Sequence, residues 1–189
     1  MIPLDRATTA LVLIDLQRGI LANPLAPHSA EQVLGSAALL TNAFRAAHAL
    51  VVLVRVDFSE GGADRLDLPV DVPYRPGPLP ADWAVLHPSL GSAPSDVLIT
   101  KRQWSAFYGT ELDLQLRRRG ITTVVLGGVA TNFGVESTAR DAWQANYAVV
   151  VVEDACSSLA PELHGFAVTK IFPRIARIRK ASEVVTGLK

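Results

Sequence analysis

Short apolar runs without polar alternation constrain this chain most. They fall at residues 10–14, 51–56, 97–100, 123–127 and 148–152, and are mostly valine, leucine and isoleucine. A strand with one wet face alternates apolar and polar residues. A continuous apolar run suits a strand buried on both faces, as in a parallel sheet covered by helices. The segments between carry helical patterns at about 30–47, 111–119, 133–145 and 162–171, with a last short helix from Ser182. Thr110 precedes Glu111, Leu112 and Asp113 as an N-cap precedes an acidic first turn, and Gly120 reads as that helix's stop. Ser182-Glu183 opens the last helix in the same manner. Strand–helix alternation predicts one α/β domain over residues 1–189, a three-layer sandwich with right-handed crossovers. A short sixth strand near 176–179 completes a six-stranded parallel sheet, for which the expected order is 3-2-1-4-5-6.

Composition narrows the partners. Hydrophobic residues make up 49% and charged residues 19%, a globular balance that argues against disorder. Eighteen basic residues offset 18 acidic ones, so net charge gives no reason to expect a nucleic acid partner. Cys156 is the single cysteine, which excludes an intrachain disulfide and fits a reducing compartment. The apolar run at 10–14 is too short for a signal peptide or membrane span, and no later run approaches spanning length. A soluble, cytoplasmic protein without a membrane partner is expected.

Residues 58–96 break the rhythm. They hold Pro69, Pro73, Pro76, Pro78, Pro80, Pro88 and Pro94, which is 7 of the 12 prolines, and show no clear period. Long ordered insertions often serve as lids or interface loops. A proline-stiffened surface excursion is the other reading.

In open parallel sheets ligands bind beyond the carboxyl ends of the strands. Asp15 follows the first strand, Lys101 follows the third, and Ala130-Thr131-Asn132 follows the fourth and opens a helix. With the expected order, strands one and four flank the switch point. Asp15 and Gly134 then face each other, with Lys101 reaching in from the third strand's end.

These segments carry a resemblance. Leu13-Ile14-Asp15-Leu16-Gln17 is similar to the aspartate motif of the isochorismatase-like hydrolases. Lys101, with Ser105-Ala106-Phe107-Tyr108-Gly109-Thr110, resembles their lysine motif, and Gly128-Val129-Ala130-Thr131-Asn132 their turn before the nucleophile. Order and spacing match over nearly the whole chain. In cysteine-bearing members the aspartate acts as base, the lysine orients and stabilises it, and the cysteine attacks an amide. The resemblance also implies a cis peptide at Val129-Ala130, with backbone N–H groups of the turn forming part of an oxyanion hole. It further implies a small-molecule substrate, no cofactor and a homo-oligomer. Asp15, Lys101 and Gly134 are the candidate catalytic positions; Gln17, Trp104, Phe107, Val129 and Ala130 are the candidate substrate contacts.

The resemblance places Gly134 where most members carry the cysteine, and a glycine cannot attack a carbonyl. Members with glycine there include true isochorismatases, which hydrolyse a vinyl ether by protonating the enol carbon and adding water to the oxocarbenium ion. Asp15 is the residue able to supply that proton. Burial would raise its pKa toward working pH and Lys101 would lower it. Departures from the family pattern bear on substrate and metal. True isochorismatases have a glutamine after the second strand, where this chain has Asp57-Phe58-Ser59. Nicotinamidase-like members carry an Asp-x-His metal set there, which Ser59 leaves incomplete. No metal is expected, since His28, His48, His87 and His164 form no short-spaced pair.

Other residues have blander readings. Cys156 is off the switch point and reads as a buried filler. Asp154 reads as a cap on the approach to a helix. Trp104, Phe107 and Tyr108 either line a pocket for a planar substrate or serve as core and interface aromatics. Arg174, Arg177, Arg179 and Lys180 suit a solvated or interface edge. Three functions follow: a hydrolase of a small carboxylate without a covalent cysteine step, an inactive small-molecule-binding relative, or an amidohydrolase using water activated by Asp15. Keeping both Asp15 and Lys101 favours an enzyme, because a dead site has no need of a buried charged pair.

Overall fold

A computed structural model describes residues 3–73 and 77–189. The apolar runs become strands β1 (Thr9–Ile14), β2 (Leu50–Val56), β3 (Val97–Lys101), β4 (Thr123–Val129) and β5 (Ala148–Ser157), with β6 (Arg177–Arg179) at one edge. All neighbours pair parallel, in the order β3-β2-β1-β4-β5-β6. Central β1 is buried along its whole length, as its unbroken apolar sequence requires.

Successive residues of a strand point to opposite faces, and here they feed two separate cores. Ala10, Val12 and Ile14 pack with Leu112 and Leu116 of helix α3 (Leu112–Arg118) and Ala139 and Ala142 of α4 (Glu136–Gln144). Leu11 and Leu13 pack on the other face against Val33, Ala37, Leu40 and Phe44 of α2 (Ala30–Ala46). Those four α2 residues recur every three or four positions and form one buried stripe. A reciprocal capping box starts that helix: Ser29 Oγ accepts from Gln32 N–H, and Gln32 Oε1 accepts from Ser29 N–H. Truncating fully buried Phe44 to alanine would cost about 3–5 kcal/mol.

Several boundaries differ from those read in the sequence. β5 runs on to Ser157, five residues past the expected end. A register shift between Leu126 and Gly128 lets it continue beside β4, where Gly128 pairs with Cys156. The helix expected at 133–145 starts earlier, as a wide turn over Thr131–Val135 that passes into α4. The segment expected at 162–171 divides into α5 (Pro161–Phe166) and another wide turn, Ala167–Ile171. A four-residue helix, α1 (Arg18–Leu21), was not foreseen, and α6 spans Ala181–Gly187. Asp154 Oδ1 accepts from Ala181 N–H at 2.8 Å, so it is a cap. Arg177 and Arg179 lie on edge strand β6.

The proline-rich segment is irregular, apart from two 3-10 turns at Glu60–Gly62 and Pro88–Leu90; Pro76 lies outside the described residues. It is nevertheless docked. His87 N–H bonds Leu16 O, while Arg18 and Gly19 N–H bond Val85 O and Trp83 O, each at 2.9 Å. A Cβ on Gly19 would lie 1.8 Å from Trp83 Cδ1, so only glycine lets the indole lie there. The segment therefore packs over the chain that leaves β1. Among the described residues, no helix is long and apolar enough to cross a membrane.

Candidate active site

β1 ends at Ile14, and Asp15 turns the chain with φ of 53° while its N–H bonds Val54 O at 2.9 Å. Aspartate tolerates this left-handed conformation better than most residues. Lys101 ends β3, one strand beyond β2, and its long stem crosses that gap. Its Nζ lies 2.6 Å from Asp15 Oδ2 and donates a second bond to Gln103 O at 3.0 Å. Both side chains are buried. Asp15 Oδ1 is buried too and has no hydrogen-bond partner among the described residues. Burial pushes the Asp15 carboxyl up to about 6, against the opposing pull of Lys101 and of the nearby Val56 N–H, which is bonded to Gln17 Oε1 and also helps to lower the carboxyl.

Gly134 lies in the wide turn after β4. A Cβ there would meet Ile14 Cγ2 at 3.0 Å, Asp15 Oδ2 at 3.3 Å and the Trp104 carbonyl at 3.5 Å. The glycine thus stands directly against the Asp15 carboxylate. The Val129–Ala130 peptide just upstream is cis. Thr138 Oγ1 donates to Gly134 O at 2.7 Å and accepts from Ala106 N–H at 3.0 Å, clamping the loop after Lys101 onto this turn. Trp104 is exposed, with its ring 4.9 Å from that of Phe133. Asp15, Lys101, Gly134, Val129, Ala130 and Trp104 thus gather around one end of the sheet.

The model of the isochorismatase domain matches residues 9–183. The chain belongs to the isochorismatase family. It is a hydrolase of that class, with the family's α/β fold. An uncharacterised isochorismatase family protein of Escherichia coli O157:H7 is 50% identical over 188 residues, covering 100% of both chains. A solved isochorismatase family protein of Burkholderia thailandensis superposes with a TM-score of 0.94 at 48% identity, covering 99% of this chain and 98% of the other. The N-carbamoylsarcosine amidase of Thermoplasma acidophilum superposes at 0.73 with 28% identity, covering 92% and 96%.

Two expected substrate contacts of this isochorismatase-family hydrolase are occupied otherwise. Gln17 is fully buried: its Nε2 donates to Val56 O and Trp83 O, and its Oε1 accepts from Val56 N–H. It pins β2 and the proline-rich segment to the turn after β1. Phe107 packs against Tyr147, at 5.8 Å between ring centroids, and joins the core. Tyr108 points to solvent. Cys156 is fully buried, and burial pushes its thiol up to about 12, so it holds almost no thiolate. Asp57 accepts from Phe58 N–H at 2.9 Å and faces Arg55 at 3.9 Å, while Ser59 bonds Asp64.

One group escaped sequence reasoning. His28 and His164, with no short spacing between them, converge on Glu153 of β5. Burial pushes the Glu153 carboxyl up, but bonds from Lys180, His28 and His164 outweigh it and hold it at about 2. Burial also holds the His164 imidazolium below its ordinary range. Separations of 125 and 11 residues from Glu153 offered no local signal.

Proposed function

We propose that this isochorismatase-family hydrolase cleaves a small carboxylate-bearing substrate without a covalent cysteine step, with Asp15 transferring the proton. The observation that carries the reading is a buried Asp15 Oδ1, unpartnered among the described residues, together with glycine at position 134 beside Oδ2 of the same carboxylate. Lys101 holds Oδ2 and leaves Oδ1 for the reacting group. A carboxyl near 6 is protonated often enough near neutrality to act as an acid. A vinyl ether is the substrate type that suits these parts. Asp15 delivers its proton to the terminal alkene carbon, whose π electrons form the new C–H bond. The ether oxygen shares the resulting positive charge as an oxocarbenium ion. Water adds and its proton returns to Asp15. The hemiketal then breaks its C–O bond, the hydroxyl forming the carbonyl as its proton passes to the leaving oxygen, which departs as an alcohol. Trp104 and Phe133, whose rings lie 4.9 Å apart and are tilted by 46°, offer an aromatic wall for the substrate.

A second reading is amide hydrolysis by water that ionised Asp15 deprotonates. The structural likeness to an N-carbamoylsarcosine amidase favours it. Self-association, cytoplasmic location and a single domain over residues 1–189 remain part of the proposal. A panel of small enol ethers and N-carbamoyl acids, followed by product release, separates the two chemistries. Turnover of enol ethers that disappears in Asp15→Asn supports the first. Turnover of carbamoyl acids alone replaces it with the second. Binding without turnover of either class points to an inactive relative.

A further inference from the structure

We propose that His28, Glu153 and His164 form a binding site for one zinc ion, separate from the Asp15 pocket. Among the described residues, this group of histidine and carboxylate side chains brings three ligand atoms within 4.8 Å of one another. The three come from different parts of the fold. His28 lies between α1 and α2, Glu153 in β5 and His164 in α5. Each is held in place. Ser157 Oγ bonds the His28 carbonyl at 2.6 Å, and Ala26 pairs with Ser158 just upstream. His164 is buried in its helix.

Both Nε2 atoms aim at the same oxygen. His28 Nε2 lies 2.7 Å and His164 Nε2 3.2 Å from Glu153 Oε1. Ligand atoms bound tetrahedrally at zinc distances lie about 3.4 Å apart, so small ring rotations reach that arrangement. Two imidazole nitrogens and one carboxylate oxygen are a borderline-soft set that zinc takes readily, with a fourth position left for water.

The surroundings of the cluster suit a metal as well. Lys180 pairs with Oε2 of Glu153, which leaves Oε1 for the ion. Thr131 Oγ1 lies 2.9 Å from His164 Nδ1. A hydroxyl both donates and accepts, so His164 can carry its proton on Nδ1, keep this hydrogen bond and present the Nε2 lone pair. The other occupant of the same geometry is a proton-shared knot, with both Nε2–H groups donating to Glu153. The metal would tie the loop before α2, strand β5 and α5 together, and Thr131 links it to the turn that carries Gly134.

Cobalt and zinc titrations of tag-free protein, first dialysed against a chelator, distinguish the two. The expected result is one equivalent of Co²⁺ per chain with the intense visible absorption of a four-coordinate site, bleached by Zn²⁺. His28→Ala and Glu153→Gln should each weaken Co²⁺ binding by more than about tenfold. The exposed control His48→Asn should leave it unchanged. Zinc should raise the Tm of the parent and not of His28→Ala, while circular dichroism verifies that both variants are folded. No Co²⁺ absorption at millimolar metal overturns the proposal. So does binding that persists undiminished in the folded His28→Ala and Glu153→Gln variants.

Discussion

The sign of the pH dependence decides what Asp15 does. Its carboxyl rises from 3.8 to about 6, and burial is the largest cause. At about 1.4 kcal/mol per tenfold change, that rise is on the order of 3 kcal/mol against the ionised form. At pH 7 about one molecule in ten then carries the proton, and at pH 5 about nine in ten. If Asp15 is the acid, kcat/KM stays flat below pH 6 and falls up to tenfold per pH unit above it. If Asp15 is the base of an amidohydrolase, the limb reverses: activity rises through pH 6 and then levels. The assay is steady-state hydrolysis from pH 4.5 to 8.5 on the best substrate found. Asp15→Asn should lower kcat by about 10²–10⁴-fold and abolish the limb near pH 6, with circular dichroism showing the fold intact. Lys101→Met removes the charge that opposes burial, so the limb should move to higher pH. Asp15→Asn that turns over like the parent refutes the reasoning, as does a limb near pH 6 that survives in it.

Other outcomes follow from the same geometry. Gly134→Cys should not raise turnover of an enol ether and should lower it, because the new Cβ lies 3.0 Å from Ile14 Cγ2 and 3.3 Å from Asp15 Oδ2; kcat measured beside Gly134→Ala checks this. Cys156→Ser should leave turnover intact, and the native thiol, held at about 12, should resist a thiol reagent at pH 8 until denaturant is added. Gly19→Ala should displace Trp83, cost about 1–3 kcal/mol by overpacking, and speed proteolysis within residues 58–96; melting curves and timed digestion read both. Asp15 also sets a stability trend. Its folded pKa lies above its unfolded one, so its contribution is most favourable below pH 3.8 and declines as pH rises to about 6. Parent and Asp15→Asn denaturation midpoints compared across that window should diverge in this sense.

Strand existence was legible because double burial leaves a plain chemical mark, and the order is the common one for a doubly wound sheet. Past the threonines that open them, β1 and β4 carry no polar side chain, as burial on both faces requires. The end of β5 was not legible. Glu153 and Asp154 look like the loop after a strand, yet the shifted register opposite Gly128 lets the strand carry them. Asp15 and Lys101 were legible because each follows an apolar run at a strand's carboxyl end. Gln17 misled for the same reason. It sits in that motif, but the fold uses all its polar atoms to hold Val56 and Trp83, a contact made across 66 residues. His28 and His164 were illegible because their meeting depends on the path of the chain before α2 and on α5 packing beside β5.

The proposed role of Asp15 turns on a polar atom left over. Buried charges persist where their hydrogen-bonding capacity is satisfied, and an unmatched one is expensive. Lys101 meets this rule through Asp15 Oδ2 and Gln103 O. Asp15 does not, because Oδ1 has no partner among the described residues, while Gly134 stands against the other oxygen, Oδ2. A purely structural pair is under no pressure to keep that defect: asparagine or a smaller residue would remove the charge. An acid that must give up a proton needs a free oxygen, a raised pKa and a fixed direction. Burial raises the pKa, Lys101 fixes the second oxygen, and the left-handed turn at Asp15 aims the group. Each feature costs stability or demands a special backbone, and together they are the requirements for proton transfer. Substituting both partners, as in Asp15→Leu with Lys101→Met, should therefore keep or raise the melting temperature while abolishing turnover. A double variant that unfolds would mean that the pair is structural.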